Sequence, residues 1–226
     1  MLRRIQKRES TDVKIAVVDC GSGNLRSVIR ALERAAQETG IAASVNITQN
    51  PEEVLNACRL VMPGQGAFAS CLDGLGRAPG LREALEEAVQ GQGKPFLGIC
   101  VGMQLLADVG EEHGEHKGLG WIPGRVVALA PSDTALKIPH MGWNALVIRS
   151  PVHPVLADLP PEPHVYFANS YHFLCDREED CLATTDFGGS ITAVVGRGNI
   201  VGTQFHPEKS QAVGLAILRH FLRWNP

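Results

Sequence analysis

The chain has no run approaching ~18 consecutive apolar residues, so it offers no segment for a membrane-spanning helix. Its start carries Arg3, Arg4, Lys7 and Arg8 without the apolar stretch of a secretory signal, and residues 1–13 read as a solvated basic tail. There is no CxxC pair. The six cysteines, Cys20, Cys58, Cys71, Cys100, Cys175 and Cys181, are irregularly spaced, and no histidine stands at zinc-finger distance from them. No metal ligand set and no disulfide framework is expected, and free thiols point to a reducing, cytoplasmic compartment. Strong charge is also lacking: a net −3 gives no electrostatic case for nucleic acid or a membrane surface. Neither an internal repeat nor a low-complexity segment is visible. What remains is a soluble globular chain of 226 residues, long enough to bury roughly 70% of its unfolded surface without covalent staples.

Residues 14–226 read as one domain. KIAVVD (Lys14–Asp19) is a short apolar run ending in the turn CGSGN, which predicts a buried strand. Leu25, Val28, Ile29, Leu32 and Ala36 then recur at helical spacing. Asn50 and Pro51 form a helix start, and Arg59–Gly66 repeats the strand-then-glycine pattern. Leu81, Ala84, Leu85, Ala88 and Val89 mark a helix stopped by Gly91; Pro95–Cys100 reads as a strand that passes straight into a helix over VGMQLLAD. Strands alternating with helices predict an α/β fold with a doubly wound, largely parallel sheet of flavodoxin-like type. The turns after Asp19, Met62 and Ile99 should share one edge, where such sheets bind ligands.

The second half is richer in β-like segments, at Arg125–Leu129, Ala145–Ile148, His164–Ala168, Ile191–Val195 and Ile200–Gln204. They predict a β-rich extension of the same domain. Pro151–His164 is proline-rich, but Val152, Val155, Leu156 and Leu159 suggest a packed loop. Val213, Ile217, Leu218, Phe221 and Leu222 give a closing helix.

Gly98-Ile99-Cys100-Val101-Gly102 places a cysteine between paired glycines at a strand–helix junction. A cysteine taken alone is more often a small buried hydrophobe, and that reading stands for the other five. At Cys100 the pattern is the thiol form of a nucleophile elbow, and helix N–H groups aimed at the sulfur would favour the thiolate. A thiol nucleophile needs a base, and the base needs a group to orient it. His206 and Glu208, two apart around Pro207 at the end of a strand, supply both. His113, His116 and His153, in polar or proline-rich loops, read as surface residues.

Taken together, GICVGMQ (Gly98–Gln104) and TQFHPEKS (Thr203–Ser210) resemble the class I, triad-type glutamine amidotransferases. VVDCGSGNLRSV (Val17–Val28), MPGQGAF (Met62–Phe68), IPHMGWN (Ile138–Asn144) and YFANSYHF (Tyr166–Phe173) are similar to one branch of that family, the glutaminase subunits of imidazole glycerol phosphate synthase. The segments run in family order from Val17 to Ser210, and GNLRS and PHMGWN are more specific than the triad. The resemblance implies a Cys100–His206–Glu208 triad that hydrolyses L-glutamine through a thioester and needs no cofactor. It implies an oxyanion hole from the N–H of Val101 and a backbone N–H of Gly64-Gln65-Gly66, completed by a backbone flip. Gln104, Ser170 and Tyr171 match glutamine-binding positions. His140, Trp143 and Asn144 match the interface with a (β/α)₈ cyclase subunit, which would form a heterodimer with this chain and receive its ammonia for histidine biosynthesis. Trp143 and Asn144, read without the resemblance, fit local packing equally well.

Three positions depart from the family pattern: Gln65 where valine is usual, Cys20 where tyrosine is common and Asn169 where histidine is common. The competing readings are the glutaminase subunit of another synthase, a non-enzymatic binding protein on the same fold, and a protease-like thiol enzyme. GNLRS and PHMGWN speak against the first, and the intact Cys100, His206 and Glu208 against the second. The HPE arrangement and Gln104 suit release of an amide from a small amino acid better than the third.

Overall fold

The computed structural model describes residues 12–226. The basic tail expected over residues 1–13 thus lies, up to residue 11, outside the described residues, and Val13 already belongs to the first strand. The first half runs β1 (Val13–Val18), α1 (Leu25–Thr39), β2 (Ala43–Thr48), α2 (Pro51–Asn56), β3 (Arg59–Gly64), α3 (Phe68–Arg77), α4 (Leu81–Glu86), β4 (Phe96–Cys100) and α5 (Val101–Gln104). The second half runs β5 (Val109–Gly110), β6 (His116–Lys117), β7 (Gly124–Ala128), β8 (His140–Ala145), β9 (Val147–Ile148), β10 (His164–Asn169), β11 (Tyr171–Cys175), β12 (Cys181–Asp186), β13 (Ser190–Arg197), β14 (Ile200–Thr203) and α6 (Gln211–Arg223).

Eight strands form the central sheet in the order β2-β1-β3-β4-β14-β13-β12-β9. The five from β2 to β14 are parallel, and the last three pair antiparallel. Ile191–Val195 and Ile200–Gln204, expected in the extension, therefore complete the central sheet. The extension itself is a sheet of order β11-β7-β5-β6 and the two-stranded ribbon β8–β10. The chain steps outward from β1 to β2, then back across to β3 and β4. Right-handed crossovers then put α1 on one face and α2, α3 and α4 on the other. The final helix α6 returns to pack on α1, closing the first face.

Local chemistry explains the helices. The Asn24 side chain caps α1 through the N–H of Ser27, and Gly40 ends it in the left-handed conformation. Asn50 caps α2 through the N–H of Glu52, with Pro51 in the first turn. Val28, Leu32, Ala35 and Ala36 of α1 face Ile217, Leu218, Phe221 and Leu222 of α6 within one continuous core. In the proline-rich loop Val155 and Leu156 are buried, as expected, whereas Val152 is exposed. The helix predicted from Val101 onward is a single turn that stops at Gln104.

The parallel strands end together: β3 and β4 place Gly64 beside Cys100, and β4 and β14 place Ile99 beside Thr203. Three glycines permit this edge. A Cβ on Gly102 would stand 1.8 Å from the Met62 carbonyl oxygen, one on Gly98 2.5 Å from the Gly102 carbonyl oxygen, and one on Gly64 2.7 Å from the Gly102 nitrogen. Strand β3, strand β4 and α5 thus meet backbone to backbone. Gly102→Ala is expected to force β3 and α5 apart and to cost at least ~2 kcal/mol. For a chain this long that is a fall in melting temperature of roughly 4 °C or more. Thermal unfolding checks it; an unchanged midpoint would refute the close approach.

Candidate active site

Cys100 is the last residue of β4 and the cap of α5, with φ 55° and ψ −112°. A non-glycine residue holds such a conformation at a cost of ~1–3 kcal/mol, and only where its surroundings leave no other choice. Here the surroundings are the glycine contacts just described. They raise the cysteine above the sheet edge at the floor of a cleft of about 250 Å³. Gln65, Gly66, Val101, Gln104, Ser170 and Tyr171 line that cleft.

His206 arrives from the neighbouring strand. Beyond β14 the chain turns through His206 and Pro207, and Glu208 folds back so that its Oε1 lies 2.8 Å from His206 Nδ1. Both side chains are almost fully buried, at 6% and 3% exposure. The turn is fixed from behind. The His206 N–H donates to the Tyr166 carbonyl at 3.0 Å. The Ser210 hydroxyl donates to the His206 carbonyl at 2.7 Å and accepts the Tyr166 N–H at 2.9 Å. Burial disfavours a charged imidazole. Hydrogen bonding to Cys100 and Glu208, reinforced by Coulomb attraction, outweighs it and lifts the His206 pKa to about 9. His206 therefore holds a proton at neutral pH, paired with a carboxylate on one side and facing the Cys100 sulfur on the other.

Two buried amides connect these parts. The Gln104 side-chain N–H₂ donates to the Gln204 Oε1 at 3.1 Å and to the Tyr171 carbonyl at 3.2 Å. The Gln204 N–H₂ in turn lies 3.8 Å from the Cys100 sulfur. Asn169 also donates to the Tyr171 carbonyl, at 3.0 Å, and its Oδ1 beside the cleft finds no partner among the described residues. So the turn carrying Ser170 and Tyr171 is tied to the helix behind the nucleophile.

The sequence reading missed two residues here. Gln204 lies inside the TQFHPE segment, and its full burial beside a sulfur is a tertiary property. Glu112 lines the cleft and its carboxylate accepts the Phe68 N–H at 2.7 Å. Nothing in the local pattern of the EEHGEH loop sets it apart from its acidic neighbours.

The candidate oxyanion strand is not aimed at the nucleophile. The Gln65 N–H donates to the Ser22 hydroxyl at 3.3 Å. Ser22 follows β1, on the side of β3 opposite to β4 and Cys100. Gly64 does lie against Val101 and Gly102. Gln65 is exposed, so its substitution for the usual apolar residue disturbs no core packing.

The three expected interface residues separate. Trp143 is 47% exposed and shares a face of β8 with the exposed Met141; Ile138, just before the strand, is exposed as well. His140 is buried, stacked between the rings of Phe167 at 4.6 Å and Phe187 at 4.1 Å. Asn144 donates to the Asp186 carbonyl at 2.7 Å, stitching β8 to the turn after β12. PHMGWN is therefore mostly a strand, with one exposed face, and not a loop. A larger cleft of about 740 Å³, between α1 and α6, contains Arg30, Arg34 and Arg219 but no nucleophile.

A family model described as Glutamine amidotransferase class-I matches residues 16–224. A Rhodospirillum rubrum protein named imidazole glycerol phosphate synthase subunit HisH is 55% identical over 214 residues, covering 95% of this chain and 100% of that one. The protein of the same name from Rhizobium meliloti is 51% identical over 217 residues, covering 95% and 100%. Among solved structures, a glutamine amidotransferase superposes with a TM-score of 0.67 at 20% identity, over 92% of this chain and 97% of that one. Another, from Thermotoga maritima, gives 0.61 at 17% identity, over 87% and 76%. At those identities the likeness is one of fold.

The His206–Glu208 contact has a measurable consequence. A folded pKa above the ordinary histidine value means the protonated imidazole stabilises the fold fully below about 6.5, a benefit lost as pH rises through about 9. Glu208→Gln removes a charge-assisted hydrogen bond worth ~1.5–3 kcal/mol, so the His206 titration should move down by roughly one to two pH units. NMR titration of the His206 ring reads it. An unmoved midpoint would show that Glu208 does not hold the imidazole.

Proposed function

The chain belongs to the class I glutamine amidotransferase family, and from that premise we propose that it is the glutaminase subunit of an imidazole glycerol phosphate synthase, with Cys100, His206 and Glu208 as its triad. The observation that carries the triad is the meeting, at one sheet edge, of a cysteine on a strained elbow with a buried, protonated histidine held by a carboxylate. The relatives that share half or more of its residues over nearly their whole length support the pathway.

L-Glutamine enters the cleft with its side-chain amide over Cys100. Gln104, Ser170 and Tyr171 bind it, and the Asn169 and Glu112 side chains are at hand for its polar end. The thiolate attacks the amide carbon, and the carbonyl oxygen takes up the negative charge. The N–H of Val101 meets that charge, joined by an N–H of Gly64–Gly66 once this strand turns towards Cys100; losing one such donor typically costs ~100- to 1000-fold in rate. His206 gives its proton to the departing nitrogen, and ammonia leaves behind a thioester. The now neutral imidazole draws a proton from water, the resulting hydroxide hydrolyses the thioester to glutamate, and the protonated His206 and the Cys100 thiolate are restored. Glu208 holds the ring and offsets the imidazolium charge.

The ammonia passes to a (β/α)₈ cyclase subunit, which uses it to make imidazole glycerol phosphate. The exposed Ile138, Met141 and Trp143 suit that partner. Met141 also lines the cleft, so the docked cyclase would lie against the mouth from which ammonia emerges. Among the described residues no helix is long and apolar enough to cross a membrane. The place of action is the cytoplasm.

Glutamine hydrolysis by the purified chain, alone and with a cyclase subunit carrying its phosphoribulosyl ligand, tests the assignment. Strong stimulation by the loaded partner is expected, as is complete loss in Cys100→Ala with the partner still bound. Hydrolysis indifferent to the partner would move the chain to another synthase; residual turnover in Cys100→Ala would end the nucleophile assignment. Trp143→Ala should weaken partner binding about 30-fold, the effect of losing a ~2 kcal/mol aromatic anchor, without changing the cleft. Calorimetric titration showing unaltered affinity would place the interface elsewhere.

A further inference from the structure

Three consecutive peptide units of the candidate oxyanion strand are held from the side of β3 away from Cys100. The Cys20 thiol donates to the Pro63 carbonyl at 3.2 Å, a buried contact between residues far apart in sequence. The Gln65 N–H, belonging to the next peptide, donates to Ser22 Oγ at 3.3 Å. The Cys71 sulfur lies 3.6 Å from the Gln65 carbonyl oxygen, in the third. The holding groups are themselves joined: Ser22 Oγ and Cys71 Sγ are 2.9 Å apart, and Ser22 Oγ is 3.8 Å from Cys20 Sγ. Both thiols are buried, Cys20 at 1% and Cys71 at 0% exposure.

The cluster is built into the packing. A Cβ on Gly74 would stand 1.7 Å from the Cys20 carbonyl oxygen, so α3 presses directly onto the turn after β1 and carries Cys71 with it. Nothing in the proposed chemistry at Cys100 uses either sulfur.

We propose that Cys20 and Cys71 are positioning residues for glutamine hydrolysis, a thiol clamp that keeps the Gln65 N–H turned towards Ser22 and away from the oxyanion. The proposal rests on the function given above for its catalytic consequence, but its structural half stands independently. Turning the Gly64–Gln65 peptide towards Cys100 requires breaking the Ser22 contact and rotating the two flanking peptides that the thiols hold. Hydrogen bonding with Cys71, together with burial, pushes the Cys20 thiol up, so it remains a donor to Pro63 across the neutral range. Cys71 accepts the Ser22 O–H while its own S–H faces the Gln65 carbonyl, which leaves the Ser22 oxygen lone pairs for the Gln65 N–H. The clamp sets the rate of the chain without its partner, and the partner must overcome it.

The test compares the wild-type chain with Cys20→Ala, Cys71→Ala, the double alanine variant, and Cys20→Ser and Cys71→Ser. Amide hydrogen exchange of the 63–68 segment is read beside partner-free and partner-stimulated glutamine hydrolysis. The double alanine variant should exchange the Gln65 amide at least tenfold faster. Its partner-free kcat should rise several-fold with KM for glutamine unchanged and stimulation by the loaded cyclase reduced in proportion. The serine variants, which keep a donor and an acceptor, should lie near wild type. Unaltered exchange at Gln65 overturns the clamp, whatever the activity. Faster exchange without a change in partner-free kcat, in a chain the loaded cyclase does stimulate, overturns its role in catalysis. Should no chain, wild type included, hydrolyse glutamine even with the loaded cyclase, the proposed function fails, the catalytic half of the proposal falls with it, and exchange alone decides the structural half.

Discussion

The site depends on a backbone contact that tolerates no side chain. Because Gly64, Gly98 and Gly102 lack a Cβ, the ends of β3 and β4 and the single turn of α5 touch main chain to main chain. That contact forces Cys100 into a left-handed φ, and the strain of ~1–3 kcal/mol is held there by every neighbour at once. It also places the nucleophile and the candidate oxyanion strand in one rigid unit, since Gly64 rests on Val101 and Gly102 while pairing with Cys100. A loop-mounted thiol would gain mobility and lose this register.

Around that contact the interior is buried and polar, which makes each hydrogen bond consequential. An unpaired buried donor or acceptor costs ~1–3 kcal/mol, so Gln104, Gln204 and the Tyr171 carbonyl are bound to arrange themselves around one another. Their arrangement joins α5, the end of β14 and the β10–β11 turn, three regions distant in sequence. The His206–Glu208 pair is subject to the same rule with larger stakes. Two charges shielded from water attract strongly, but removing either would leave the other stranded. This is why Ser210 and Tyr166 hold the turn so closely: the pair is worth having only if its geometry does not drift.

Much of this was legible in the chain itself. The alternation of apolar runs and helical stripes specified the parallel half of the sheet, and Asn50-Pro51 and the glycines around Cys100 marked their elements through local steric rules. The strands that escaped notice are those whose burial is partial or whose pattern is polar. Strand β2 lies at the sheet edge with three of its six residues polar, and β12 ends in two threonines and an aspartate. Helix α3 hid because FASCLDGLGR contains two glycines and follows a turn. In the site, the triad could be read because its residues sit in tight local motifs. Gln204 and Glu112 acquire their roles from residues 104 and 44 positions away, respectively, and no local pattern carries that information. His140 was assigned to the partner interface by resemblance alone, and its segment gives no sign of the two phenylalanine rings that enclose it.

The placement of Met141 and Trp143 separates two consequences of partner docking on the assembly proposed here. Residues two apart on a strand share a side, so Met141 and Trp143 of β8 project onto the same exposed face although only Met141 reaches the cleft. A partner that covers this face therefore does two things at once. It buries apolar surface, which supplies affinity, and it presses on a residue that helps to wall the substrate, which alters chemistry. Loss of Trp143 removes mainly the first effect, since its ring packs on Tyr166 and touches nothing in the cleft lining. Loss of Met141 would mix the two. Affinity and activation are therefore separable by residue even though a single strand carries both, and the separation follows from a two-residue step along β8 that keeps the face and leaves the cleft.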